Sequence, residues 1–118
     1  MLDHGQRIHR SADFGAAIRR GRRVSRGGLV MHVQERIGRS EPTRCGFVVS
    51  KSVGGSVVRH RVTRQLRHLC HDHYASFAPG SIVVVRALPS AATHSFSQLS
   101  ANFESILEKF RNGRPRGN

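Results

Sequence analysis

Six side chains between positions 51 and 67 can each hold an anion: Lys51, Arg59, His60, Arg61, Arg64 and Arg67. At about 100° per residue, His60, Arg61, Arg64, Arg67, His68 and His71 fall on one side of a helix. The only acid between Lys51 and Tyr74 is Asp72, at the far end. An exposed helix usually balances its own charge with Glu or Asp placed three or four residues from Lys or Arg. Here that device is missing, so a purely solvated face would repel itself. The counter-charge must come from a partner, and the chemistry is phosphate recognition.

Other chemistries fit the residues less well. The acids are Asp3, Asp13, Glu35, Glu41, Asp72, Glu104 and Glu108, and no two of them form a motif for a pair of metal ions. The chain therefore does not read as a protein-only phosphodiesterase. His68, Cys70, His71 and His73 resemble a zinc cluster at first sight. On a helix, however, His68 and His71 join the basic side while Cys70 and His73 turn to the apolar one. Cys45, the other cysteine, lies on a separate strand, so both cysteines read as buried small residues. Gly54-Gly55 has the outline of a phosphate loop but lacks the nucleotide-binding spacing.

These side chains need elements to position them. Residues 46–49 are an apolar strand that ends in Ser50-Lys51. Gly54-Gly55 follows, and Ser56 is a natural N-cap. The spacing predicts a helix over 56–77, with Val58, Val62, Leu66, Leu69 and Phe77 on its buried side. Its positive macrodipole end supplies a second anion site near the glycines.

The totals agree with a nucleic-acid partner. The chain has 118 residues, a net charge of +13 and a sequence pI near 11.8. That balance suits RNA, DNA or an anionic surface. With 37% hydrophobic residues and no Trp, the core must be built from Val, Leu, Ile and Phe. One domain over 1–118 is expected, ordered over 7–110, with a basic tail at 111–118. No apolar run approaches the ~20 residues of a membrane span. No apolar leader opens the chain, and two cysteines suit a reducing compartment, so the expected location is cytoplasmic.

Read in order, Ser11 caps a short helix over 13–19 that carries Phe14, Ala17 and Ile18 on one side. Arg19, Arg20, Arg22, Arg23 and Arg26 form a second basic cluster, the rim between that helix and the next strand. A strand over 29–37 places Val30, His32 and Gln34 on a polar or ligand-facing side. Residues 38–43 read as a hairpin loop that leads to an antiparallel partner at 44–50. Residues 81–86 are apolar throughout, as for a strand covered on both faces. Ser95 and Gln98 have capping-box spacing ahead of a closing helix built on Phe96, Leu99, Phe103, Ile106, Leu107 and Phe110. The class is α+β, in the order α-β-β-β-α-β-α if a short strand forms at 22–25. Phe14 and His32 could stack on unpaired bases.

The stretch Gly46-Phe47-Val48-Val49-Ser50-Lys51, then Val53-Gly54, then Arg59-His60-Arg61 and Arg64-Gln65-Leu66-Arg67 closely resembles the signature of the bacterial ribonuclease P protein subunit. That family carries a strand ending in Ser-Lys-Lys and a helix bearing Arg-Asn-Arg followed by further basic residues. The likeness extends over 7–110, through Asp13-Phe14, Gly21 and the strand ending at Arg86. Departures are Ser52 for the second Lys, His60 for the Asn, and Thr63 at a usually basic position. Ile18 and His32 stand where many members carry aromatic residues.

The resemblance implies a four-stranded mixed sheet with a left-handed βαβ crossover, an exception to the usual hand, in a fold like the second domain of some ribosomal proteins. It implies a subunit of ribonuclease P that binds a catalytic RNA and the single-stranded 5′ leader of precursor tRNA. The RNA would carry the catalysis with Mg²⁺, and the protein alone would be inactive. Lys51, Arg59, His60, Arg61, Arg64 and Arg67 would meet the RNA subunit, and Phe14, Ile18, His32 and Arg86 the leader. No organic cofactor, membrane or obligate protein partner is implied. The alternative is a ribosomal or ribosome-assembly RNA-binding protein, whose charge signature would be the same. A major-groove DNA reader would need a helix-turn-helix or a dimer, and a lone helix between strands offers neither.

Overall fold

The structure is a computed structural model that describes residues 4–36 and 41–112. Three helices, α1 (Ser11–Arg20), α2 (Ser56–Asp72) and α3 (Phe96–Asn112), surround four strands, β1 (Arg22–Arg26), β2 (Leu29–Gln34), β3 (Arg44–Val48) and β4 (Ile82–Ala87). The strand order is β1-β2-β4-β3. β1 and β2 form a hairpin across Gly27-Gly28, and Gly27, at φ 53°, takes the left-handed conformation that the tight turn needs.

One expected pairing is wrong. β3 does not pair with β2; β4 lies between them, antiparallel to β2 and parallel to β3. The physical reason is burial. Ile82, Val83, Val84 and Val85 are all buried, which only a central strand permits. A parallel β3–β4 pair also needs a long crossover, and α2 supplies it. Part of the 38–43 stretch, expected as a hairpin loop, lies outside the described residues.

Strand alternation divides the core in two. Leu29, Met31, Val33, Val83 and Val85 face α2 and α3, meeting Val62, Leu66, Leu69, Phe103 and Ile106 in one dry cluster. On the other face Ile82 and Val84 meet Ala17, Phe14 and Ile8 beneath α1. Ahead of α1, Arg7 bridges to Cys45 in parallel and Ile8 N–H donates to the Cys45 carbonyl at 2.9 Å. The segment before α1 thus runs along the outer edge of β3.

Several boundaries move. α2 stops at Asp72, short of position 77; a single helical turn (Tyr74–Ser76) follows, and Phe77 is buried from extended backbone. The Tyr74 hydroxyl donates to the Thr43 carbonyl, tying the chain to the start of β3 instead of continuing the helix. β2 ends at Gln34 and β3 at Val48, while α3 runs through Arg111 to Asn112, where a tail was expected. Ser11 and Ser56 are first helical residues rather than caps, since the N-caps are Arg10 and Gly55, neither with a side-chain bond. Ser95 does cap α3. Its N–H donates to Gln98 Oε1 at 2.8 Å and its Oγ accepts from the Gln98 N–H at 3.1 Å.

Candidate nucleic-acid interface

α2 exists because its inner stripe of Val62, Leu66, Leu69 and Cys70 is fully buried. That leaves the remaining faces free to carry charge. His60, Arg61, Arg64, His68 and His71 are exposed, as is Lys51 in the turn ahead of the helix. Arg59 and Arg67 are half-buried on the flank that faces β3. The six expected cations thus occupy two places rather than one stripe.

Several are held in position. Arg59 Nε donates to the Gly54 carbonyl at 3.1 Å, which fixes the guanidinium over the helix start. Arg61 donates to the Ala92 carbonyl in the helical turn Pro89–Thr93. The Thr63 hydroxyl turns back to the Arg59 carbonyl at 2.8 Å. The first-turn N–H groups of α2 have no intrahelical acceptor, and Gly55 brings no side chain to them. Beside them Val57 is 82% exposed, an apolar contact surface among cations. Asp72 pairs with His68 at 3.2 Å and His71 at 3.6 Å, so the one acid of α2 is spent at its far end.

The four expected leader contacts share the other side of the sheet. In the β2–β4 register Val30 faces Arg86 and His32 faces Val84, and Phe14 and Ile18 come from α1 above them. Phe14 lies so close to β3 that any side chain at Gly46 would collide with its ring; a Cβ there would sit 2.4 Å from Phe14 Cζ. Ile18 is 39% exposed and Arg86 half-buried.

His32 departs from expectation. It is 2% exposed, so it presents no open face to a base. Neither ring nitrogen has a partner within the protein. Burial, and then the nearby Arg86 and Arg23 charges, hold its pKa below the usual histidine value. Burial and the two positive charges thus both favour the neutral ring, which lies in register between Arg23 on β1 and Val84 on β4. Alternation along β2 identified the face but could not show that α1 covers it.

Arg23 is the residue that sequence reasoning left in a rim. It pairs across from His32 and so lies on the face expected to meet the leader. Its neighbours in that rim turn the other way. Arg22 donates to the Phe110 carbonyl at 3.3 Å and sits 5.1 Å over the Phe110 ring, and Arg26 Nε donates to Ser105 Oγ at 3.1 Å.

Among the described residues, no group of three or more His, Cys, Asp or Glu side chains is placed to hold a metal ion. His73 stacks on Phe103 at 5.4 Å and His68 meets Phe96 edge-on at 5.5 Å, so these histidines pack against α3. Cys45 and Cys70, expected far apart, are neighbours in the core. Burial and the adjacent Cys45 push the Cys70 thiol well up, away from reactive thiolate. No helix among the described residues is long and apolar enough to cross a membrane.

A family model described as Ribonuclease P matches residues 2–111. The chain belongs to the ribonuclease P protein family. Ribonuclease P protein components from Streptomyces avermitilis and Rhodococcus opacus are 46% and 47% identical to it. The first alignment covers 98% of this chain and all of the relative, the second 91% and 90%. The ribonuclease P protein of Staphylococcus aureus has the same fold at TM-score 0.79 and 24% identity, covering 90% of this chain and 95% of that one. The Thermotoga maritima protein follows at TM-score 0.74 and 18% identity, covering 87% and 96%. The chain is thus a protein component of ribonuclease P, part of an endoribonuclease ribonucleoprotein of tRNA processing, and its partner is RNA. α2, whose one acid, Asp72, lies at its far end, carries the positive charge that suits such a partner.

Proposed function

We propose that the protein docks the start and outer face of α2 on the catalytic RNA subunit and guides the single-stranded 5′ leader of precursor tRNA across the α1 face of the sheet. The observation that carries this reading is the α2 face, whose Lys51, His60, Arg61 and Arg64 are exposed with no acid among them. Arg59 and the uncapped N–H groups add donors at the helix start. On the opposite side, Phe14 and Ile18 offer apolar contacts while Arg23 and Arg86 meet phosphates. The sheet face itself is closed by α1, where Ala17, Ile82 and Val84 are at most 1% exposed, so the leader would meet the accessible rim that Ile18, Arg23 and Arg86 leave beside the helix, a surface suited to unpaired nucleotides.

The contribution is electrostatic and positional. Catalytic RNA and substrate are both polyanions, and cationic side chains reduce their repulsion and release counter-ions. Leader contacts add affinity for precursor over mature tRNA. In this reading the chemistry of cleavage belongs to the RNA with its Mg²⁺, and the protein positions the two RNAs.

The test is cleavage of a 5′-extended precursor tRNA at low Mg²⁺ by the protein, by the RNA subunit, and by both. Cleavage by the mixture alone is expected. Cleavage by the protein alone would overturn the division of labour, and no stimulation of a cognate RNA would overturn the docking role. Arg59→Ala with Arg61→Ala should flatten the salt dependence of RNA affinity by roughly one unit per lost phosphate contact. An unchanged slope removes both from the docking surface.

A further inference from the structure

The chain has six Phe, one Tyr and no Trp, and all of these rings lie among the described residues. Phe77, Phe103 and Phe110 are buried, and Phe14, Phe47 and Tyr74 are partly covered. Phe96 stands apart at 38% exposed, although its spacing places it with the core side of α3. A single exposed Phe is ordinary. The surroundings of this one are not.

Phe96 is the first residue of α3, and it lies against the cationic face of α2. Its ring meets the His68 imidazole edge-on, with centroids 5.5 Å apart and planes at 64°. Asp72 holds that imidazole through its Nε2, at 3.2 Å. Seven residues earlier on α2, about 10 Å along the axis, Arg61 donates to the Ala92 carbonyl in the turn that leads into α3. The entry to α3 is thus fixed to α2 at two points along one side. Arg64 lies between those points, exposed, and one turn from His68.

This arrangement defines what fits. The surface around the ring is polar and positive, with Arg61, Arg64, Thr93 and Ser97 all exposed. The nearby acid, Asp72, is already engaged by His68 and His71. An apolar side chain of a protein partner gains most from an apolar patch, and none surrounds Phe96. One fixed aromatic ring beside cations is instead the chemistry of an unpaired base with its phosphates. A duplex keeps its base faces stacked and would meet only the charges.

We propose that Phe96, with His68 against it, is a stacking platform for one unpaired base of the RNA subunit, and that Arg64 takes a phosphate beside that base. The inference rests on the docking of α2 proposed above. It carries the docking surface from α2 onto the start of α3. It also lets that surface tell an unpaired nucleotide from a helix, which phosphate contacts alone cannot do.

The test measures affinity for the RNA subunit, its salt dependence and the urea midpoint for wild type, Phe96→Leu and Arg64→Gln. Phe96→Trp adds an indole to a chain that has none, as a fluorescent reporter. Phe96→Leu keeps apolar bulk and every charge but loses the aromatic face. It should weaken RNA-subunit affinity about tenfold, within the range of one base–aromatic stack, with an unchanged salt slope and a urea midpoint near wild type. Arg64→Gln should weaken affinity and reduce the slope by about one. Phe96→Trp should bind as tightly as wild type, and its emission should be quenched by the RNA subunit and not by a 5′ leader oligonucleotide. Undiminished affinity of Phe96→Leu would overturn the platform, as would unquenched emission in the formed complex. A shallower salt slope in Phe96→Leu would show that cations had moved with the ring, and would overturn it too. Quenching by the leader oligonucleotide alone would assign the ring to the substrate instead. If Arg64→Gln and the Arg59→Ala, Arg61→Ala pair both bind as wild type, the docking of α2 falls. If they lose affinity while Phe96→Leu does not, only the platform falls.

Discussion

α2 and α3 are both 17 residues long and bury one stripe against the same sheet face, yet they end and expose themselves differently. α3 closes on itself. Ser95 and Gln98 satisfy its first turn reciprocally, and Arg22 covers its last, donating to the Phe110 carbonyl. Its charges are mixed, Glu104 and Glu108 against Lys109 and Arg111. α2 has a glycine for an N-cap, no side chain on its first N–H groups, and four arginines against one aspartate. Packing solves the same folding problem for both. What remains is satisfied inside the protein for α3 and left for a partner by α2. The difference supports the proposal that α2 is the docking helix without reference to any relative.

The buried stripes should be equivalent, and the strongest way to break the comparison is to show that they are not. Leu66 on α2 and Phe103 on α3 are both fully buried in the shared cluster. Leu66→Ala should cost about 2–5 kcal/mol and Phe103→Ala about 3–5 kcal/mol, read from urea denaturation midpoints. A much smaller loss at Leu66 would mean that α2 is held by its ligand rather than by the core.

Outside the core the helices should part. Arg64→Glu reverses an exposed charge on α2 and Lys109→Glu does the same on α3. The first should weaken RNA-subunit affinity at least about tenfold, more at low salt, while leaving thermal stability within ±0.5 kcal/mol. The second should leave RNA affinity within about twofold, since one distant exposed charge is screened beyond ~10 Å at 0.1 M salt. Equal losses would show that net charge alone drives binding and that α2 has no special role.

Local pattern made much of this legible. The amphipathic period of α2, the capping box of α3 and the all-apolar 81–86 stretch are each visible within a few residues, and each stands in the structure. The basic residues of α2 and the turn before it were read the same way, whereas the full set of leader contacts rests on the family resemblance. What escaped was non-local. β3 chooses β4 over β2 because burial of the central strand outweighs nearness in sequence. His32 lies on the expected face but under α1, and Cys45 meets Cys70 across an element boundary. Arg67 is half-buried on the flank of α2 that it shares with Thr63, beside the chain segment at Arg7. No periodicity encodes contacts of that kind.

The smallest expected effect is also the sharpest on α2. Gly55 has φ −72° and ψ 179°, an ordinary extended conformation, and a Cβ there would meet nothing within 4 Å. Asp fits without strain, accepts from the free first-turn N–H groups and opposes the macrodipole. Gly55→Asp should therefore stabilise the protein by a few tenths of a kcal/mol. Ser95→Ala, which removes the corresponding cap from α3, should cost about 1 kcal/mol. RNA affinity separates the two. The new carboxylate occupies donors and adds a negative charge where a phosphate is proposed to sit, so Gly55→Asp should bind the RNA subunit more weakly although it is the more stable protein. Ser95→Ala, although less stable, should bind it normally once folded. A more stable Gly55→Asp variant with undiminished RNA affinity would move the docking surface off the start of α2 and onto its outer face alone.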